Sequence, residues 1–206
     1  MPELLYIESS PRKDRSKSIG VARAFIDAYQ AEHADDTVTS LDLWTAELPE
    51  FDGATINAKY KVMHGKDHTD AEKNAWDEVS KICGQFTKAD KYLFSVPMWN
   101  FGIPYKLKHY IDLIAQPGLT FRVDPEQGYQ GLVTGKPAVV VYARGGAYGD
   151  DSKMDFQMKY MELLLGFVGF KDMYRVVIEP TAGAPDTVAA AEADARTLAE
   201  SLARSI

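Results

Sequence analysis

Lys91-Tyr92-Leu93-Phe94-Ser95-Val96-Pro97-Met98-Trp99-Asn100-Phe101-Gly102-Ile103-Pro104 runs from an apolar, strand-forming segment through a loop into the helical spacing of Tyr105 to Ala115. Strand, loop and helix in that order form the repeating unit of parallel α/β sheets, whose ligands sit beyond the carboxyl ends of the strands. Pro97 and Pro104 fix φ and leave fewer backbone donors to satisfy, while Trp99 and Phe101 offer flat apolar surface beside the Asn100 amide. Such a loop suits a flat heteroaromatic ring.

Towards the amino end, Leu4 to Ile7 is a short run of strand formers that stops at Glu8-Ser9-Ser10-Pro11-Arg12. Asp14, Ser16 and Ser18 then precede a helix in which Ala22, Phe25, Ile26 and Tyr29 share a face. The amino end of that helix favours an anion, and the hydroxyls of Ser10, Ser16 and Ser18 would add neutral donors for a phosphate monoester. The alternative is that Ser16 and Ser18 are ordinary helix caps. The loop lacks the glycines that let a pyrophosphate approach the backbone in a dinucleotide fingerprint, so a single terminal phosphate suits it better. Thr37 to Leu43 reads as a second strand, and Ala54 to His68 as a short helix or ordered excursion. Asp70 is positioned to cap a helix that carries Ala75, Val79, Ile82 and Phe86 on one face. His64 and His68 have zinc-helix spacing without the glutamate of a metalloprotease, and read as solvated.

Towards the carboxyl end, Ile103, Leu107, Ile111 and Ile114 share the face of the helix that follows the opening loop, with Lys106 and Lys108 off that stripe. Pro117 to Val133 reads as two short strands around a turn. Ala138-Val-Val-Val-Tyr142 is the most apolar run of the chain, as expected of a strand buried on both faces. It ends in Ala143-Arg144-Gly145-Gly146-Ala147-Tyr148-Gly149, whose glycines either let a ligand approach the backbone closely or serve only to reverse the chain. A helix is expected from Asp151 with Phe156, Tyr160, Leu163, Leu164 and Phe167 along it, and Met154, Met158 and Met161 as core or interface filler. Tyr174 to Ile178 supplies a fifth strand, and Pro185 starts an alanine-rich helix with Leu198 and Leu202 expected to face inward. Five alternations of strand and helix specify an α/β fold: a three-layer sandwich around a five-stranded parallel sheet, with a small β-hairpin excursion and one domain spanning 1–206. In the order 2-1-3-4-5, the loops after the first, third and fourth strands surround one crevice.

Composition narrows the partners. In 206 residues, 30 acidic against 23 basic side chains give a formal charge of −7 with no basic block, which argues against nucleic acid and anionic membrane surfaces. No apolar run is long enough to span a bilayer and no signal peptide is visible, so a cytoplasmic location is expected. The lone Cys83 sits at helical spacing among apolar residues and reads as a buried small side chain, not a catalytic thiol. No metal site is expected.

Ser9-Ser10-Pro11-Arg12 with Ser16-Lys17-Ser18, Pro97-Met98-Trp99-Asn100-Phe101-Gly102-Ile103-Pro104 with Leu107-Lys108, Gly118-Leu119-Thr120-Phe121-Arg122 and Arg144-Gly145-Gly146 together resemble the FMN-dependent NADH azoreductase and NADH:quinone oxidoreductase family, which is flavodoxin-like. The resemblance extends over essentially the whole chain. It implies that Ser10, Ser16, Lys17 and Ser18 contact the FMN phosphate, that Pro97, Met98, Trp99, Asn100 and Phe101 contact the ring, and that Ala143, Arg144, Gly145 and Gly146 lie beside its pyrimidine edge. Asn100 and Arg144 are the side chains expected to hold or tune the ring, with Phe121 and Tyr148 on the substrate side. Trp99 stands where many members have tyrosine, and Tyr148 where some have histidine. The implied chemistry is a ping-pong transfer of hydride from NADH or NADPH through FMN to a quinone or an aromatic azo compound, in a homodimer with flavin sites at the subunit interface. The flavin carries the reactivity, so no side chain need act as nucleophile or base. Two other readings share the fold: a flavodoxin-type electron carrier that does not oxidise NAD(P)H, and a non-catalytic interaction protein.

Overall fold

In the computed structural model, residues 1–149 and 152–206 are described. β1 (Glu3–Glu8), β2 (Thr37–Asp42), β3 (Lys91–Pro97), β6 (Ala138–Ala143) and β7 (Met173–Ile178) form one parallel sheet in the order β2-β1-β3-β6-β7. β4 (Phe121–Asp124) and β5 (Gly128–Gly131) form a separate antiparallel hairpin. The expected order 2-1-3-4-5 is therefore met in part: the hairpin contributes the fourth and fifth strands of the chain, and the sheet ends on the sixth and seventh.

The alternation of side chains along a strand gives the sheet two apolar faces. Leu4 and Tyr6 of β1 join Leu93, Val139 and Val141 beneath α1 (Lys17–Glu32) and α6 (Pro185–Ser205). Ile7, Phe94, Val96, Val140 and Tyr142 point the other way, towards α3 (Asp70–Lys88), α4 (Tyr105–Ile114) and α5 (Gln157–Val168). Every residue of β6 is buried, as its unbroken apolar run requires of a strand covered on both faces. α2 (Gly53–Met63) fills the expected excursion and packs on α3, where Trp76, Val79, Cys83 and Leu113 form a smaller core. The Cys83 thiol donates to the Leu113 carbonyl at 3.2 Å, and burial pushes its pKa up to about 12, so it is an inert packing group.

Three helix expectations need correction. Thr69, not Asp70, caps α3: its hydroxyl accepts from Glu72 N–H while the Glu72 carboxylate accepts from Thr69 N–H, a closed capping box in which Asp70 is the first helical residue. α6 turns Ala195, Ala199 and Ala203 inward and leaves Leu198 45% exposed, because small side chains at i, i+4 spacing let it lie close against α1. α5 begins at Gln157; the expected start at Asp151 lies outside the described residues. Its buried face is Gln157, Met158, Met161, Leu165 and Val168, while Phe156 and Leu163 of the anticipated stripe stand 63% and 73% exposed.

The hairpin rests on the carboxyl end of α5 through an approach that only glycine permits. A Cβ on Gly131 would lie 2.2 Å from the Gly169 nitrogen, backbone that has nowhere to move, and Gly169 itself has φ of 121°. Gly131→Ala is accordingly expected to lower the stability of the fold by about 3 kcal/mol, the upper range for overpacking. Denaturant unfolding of the variant beside the parent reads this directly, and an unchanged midpoint would contradict the crowding.

Candidate functional site

The carboxyl ends of β1, β3 and β6 are neighbours, and the loops that leave them are bonded to one another. Ser9 N–H donates to the Ser95 carbonyl at 3.3 Å and its hydroxyl to the same oxygen at 2.6 Å, which ties the first loop to β3. Met98 N–H donates to the Ala143 carbonyl at 2.8 Å, which ties the third-strand loop to the glycine turn. Trp44, just past β2, donates from Nε1 to the Ser9 carbonyl at 3.0 Å and packs its ring 5.7 Å from that of Trp99 and 5.4 Å from that of Tyr105. The sequence reading passed over Trp44; its position at the carboxyl end of a strand was the available signal.

In the first loop, Ser10, Ser16 and Ser18 are all buried, at 1%, 6% and 0% exposure. Ser16 occupies the N-cap of α1, yet its hydroxyl makes no capping bond and lies 3.2 Å from that of Ser18. This disfavours the ordinary-cap alternative for Ser16: the first turn of α1 presents its N–H groups and positive dipole end without the usual side-chain acceptor. Lys17 sits on the same turn, but its ammonium is paired with Glu192 of α6 at 2.5 Å, so its backbone, not its charge, is what faces the loop in this structure.

Lys13 holds the loop in shape. It has φ of 49°, a conformation that few non-glycine residues adopt, and its ammonium bridges Glu8 at 2.6 Å and Asp42 at 2.5 Å. Partial desolvation would lower the Lys13 pKa, but hydrogen bonds to Asp42 and Glu8 hold it above the usual lysine value. Desolvation would likewise raise that of Asp42, and bonds from Lys13, Trp44 N–H and Thr45 hold it below the usual carboxylate value. The Asp42 contribution is lost as pH falls through its lowered folded pKa, and the Lys13 contribution as pH rises through its raised one, so the tether is intact across the neutral range.

Pro97-Met98-Trp99-Asn100-Phe101 closes as a tight turn. Trp99 and Gly102 exchange both backbone hydrogen bonds, at 3.0 and 2.9 Å, and the two central residues Asn100 and Phe101 have φ of 46° and 70°. Asparagine tolerates this region, whereas phenylalanine there stores strain, and Phe101 is 47% exposed with its carbonyl accepting from Phe156 N–H at 3.0 Å. Beside the turn, Gly102, Ile103, Lys108, Phe156, Lys159, Tyr160 and Leu163 line an open apolar cleft of about 430 Å³.

The glycine turn exposes Gly145 and Gly146 and buries Ala143 and Arg144. The Arg144 side chain runs inward, 1% exposed, to Asp155 at 3.0 Å and Glu179 at 3.2 Å. Its guanidinium is thus an anchor beneath the turn, paired inward with two carboxylates. Glu179 also accepts from Tyr148 N–H at 2.9 Å, and the half-buried Tyr148 ring lies 5.9 Å from the guanidinium. Phe121 is held in a separate aromatic group on the hairpin, 4.6 Å from Phe167 and 6.0 Å from Tyr129. Among the described residues there is no cluster of His, Cys, Asp or Glu fit to hold a metal, and no helix is long and apolar enough to cross a membrane.

The loop of buried serines, the aromatic turn and the glycine turn thus stand at the mouth of one parallel sheet, in a chain that is similar to known proteins along its whole length. A family model described as having a flavodoxin-like fold matches residues 2–202. A protein of Desulfotalea psychrophila named FMN-dependent NADH:quinone oxidoreductase is 51% identical over 208 residues, covering 98% of this chain and 98% of that protein. One of the same name from Nitratidesulfovibrio vulgaris is 48% identical over 199 residues, covering 95% of each. Among solved structures, an azoreductase from Bacillus anthracis superposes with a TM-score of 0.93 at 33% identity over 100% of both chains. An FMN-dependent NADH-azoreductase from the same species, solved in complex with FMN, gives 0.87 at 29% identity, covering 98% of this chain and 100% of that one.

Proposed function

The chain belongs to the flavodoxin-like family that includes FMN-dependent NADH:quinone oxidoreductases and azoreductases, and on that footing we propose that it is an FMN-dependent enzyme carrying hydride from NADH to quinones or aromatic azo compounds. The observation that carries the site assignment is the buried serine set at the mouth of α1, with the N-cap hydroxyl of Ser16 making no capping bond. A phosphate monoester is the anion this set fits: the donors are neutral hydroxyls and backbone N–H groups, and the helix dipole supplies the positive end. When bound there, FMN supplies the hydride chemistry.

The chain's own groups supply place and polarity. Ser10, Ser16 and Ser18, with the backbone of Lys17, fix the phosphate end. Pro97 to Phe101 form the wall for the ring, with Trp99 braced from behind by Trp44. In the turn Ala143 to Gly146, the Arg144 N–H is spent on the Ile178 carbonyl, so the exposed Gly145 and Gly146 are the residues whose N–H groups would favour negative charge at the pyrimidine edge, as in an oxyanion site. Phe121 and Tyr148 are assigned to the substrate side.

The functional unit we propose is one domain acting in a homodimer. Phe156, just before α5, and Leu163 within it are exposed, as are Val123 and Tyr129 of the hairpin, and they offer apolar surface to a second copy. A reducing, cytoplasmic setting agrees with an acidic chain whose single thiol is buried. The relatives favour the enzyme over an electron carrier of the same fold.

One spectrum decides between these readings. The purified protein, supplied with FMN and freed of excess, is expected to absorb as a flavoprotein, to bleach when NADH is added without air, and to recover on adding a quinone. Failure to retain FMN favours the interaction protein. Retention without bleaching favours the carrier.

A further inference from the structure

Gln157, the first residue of α5, is fully buried, and each end of its amide serves a different wall of the proposed site. Its Nε2 donates to the Val96 carbonyl at 2.8 Å, one residue before the ring wall begins at Pro97. Its Oε1 accepts from Arg144 Nε at 3.3 Å, directly ahead of Gly145 and Gly146. Asp155 holds the backbone that carries this side chain: its Oδ1 accepts from the main-chain N–H of Gln157 at 3.0 Å and of Met158 at 2.9 Å, while its other oxygen pairs with Arg144. Glu179 completes the arrangement by holding Arg144 and the N–H groups of Tyr148 and Gly149.

We infer that Gln157 is a positioning residue: its amide sets the spacing between the ring wall after β3 and the glycine turn after β6, and through that spacing the polarity felt at the pyrimidine edge. Two features support this over simple packing. A buried amide that was only filler would be replaced by an apolar side chain at lower desolvation cost, yet this one spends its donor on the end of β3 and its acceptor on the first residue after β6. The ladder between the two strands runs up to Pro97 and Ala143, and Met98 N–H bonds the Ala143 carbonyl just beyond it, so the amide adds a side-chain constraint on the face where the ladder ends. The groups that press on the turn (Arg144, Asp155, Glu179) are charged and paired, so a loosened amide moves fixed charges as well as backbone.

The inference rests on the FMN-enzyme reading, and the test separates the two. Gln157→Met keeps the volume and removes both hydrogen bonds. With FMN bound, its two-electron midpoint potential is expected to fall relative to the parent, reduced flavin being held about tenfold less tightly against oxidised flavin, a shift of ~30 mV. The visible band of the flavin should move with it, and kcat for NADH oxidation should fall more than KM rises. Phe86→Leu, a core change on the buried face of α3, serves as control: it should lower the melting temperature and leave the potential alone. If Gln157→Met loses stability like the control while potential and spectrum match the parent, Gln157 is a packing residue and the inference is wrong. Should that variant not fold, Gln157→Asn, one methylene too short to reach both partners, is read by the same criterion. A parent protein that takes up no FMN would fail the enzyme reading, a result plainly different from either.

Discussion

Ser18→Asp is expected to abolish FMN binding at micromolar flavin while leaving the apoprotein folded. Ser18 is fully buried on the first turn of α1, with its hydroxyl 3.2 Å from that of Ser16. A carboxylate there inherits the donors proposed for the phosphate and the favourable dipole end of α1, which offset the cost of its burial. The phosphate does. Two like unit charges about 4 Å apart repel by ~4 kcal/mol at an effective dielectric constant of about 20, which is about three orders of magnitude in Kd. Fluorescence titration of the apoprotein with FMN and, separately, with riboflavin isolates the cause. Riboflavin lacks the phosphate, so its weaker binding should be nearly the same in parent and variant. A loss shared equally by both flavins would show that the substitution had deformed the pocket, and retained FMN would remove the phosphate from this loop.

That the candidate phosphate loop was legible in the sequence, while the groups that brace the site were not, has a physical basis. A strand that empties into Ser-Ser-Pro-Arg and then a helix needs only local order to be recognised, and β1, the 3-10 turn Lys13–Arg15 and α1 follow that order. The same holds for β3 and β6, whose apolar runs are long enough to require burial on both faces, and hence for the crevice at their shared end. Gln157, Asp155 and Glu179 act across the sheet, in one case over a separation of 61 residues, and nothing in their neighbours announces a partner. Arg144 shows the limit most plainly. Its place in the turn could be read from the two glycines that follow, but the direction of its side chain depended on two carboxylates that only the fold brings within reach. The misassigned face of α5 has a similar origin. Aromatic and leucine side chains at helical spacing normally mark a core face, yet the hairpin and the open cleft leave part of that stripe outside, and methionines fill the core instead.

Arg144→Met should destabilise the protein by about 3–5 kcal/mol, the range found when one partner of a buried ion pair is removed. Asp155 is fully buried, and without the guanidinium its carboxylate keeps two backbone N–H donors but no counter-charge. Glu179 is less affected, since it stands at the edge of the protein and retains the N–H groups of Tyr148 and Gly149. The loss should therefore trace mainly to Asp155, and a double-mutant cycle tests that assignment. Asp155→Asn keeps an oxygen to accept from Gln157 and Met158 N–H, and in the Arg144→Met background it removes the stranded charge, so the double variant is expected to recover more than half of the deficit. Additive losses in the double variant would mean that the two side chains act independently and that the ion pair does not anchor the turn. Affinity for FMN supplies the second reading of the same proteins. If the guanidinium acts from beneath the turn, as its burial and its partners indicate, restoring stability through Asp155→Asn should restore a substantial part of FMN binding as well. If instead it met the flavin directly, the double variant would be stable and still fail to bind.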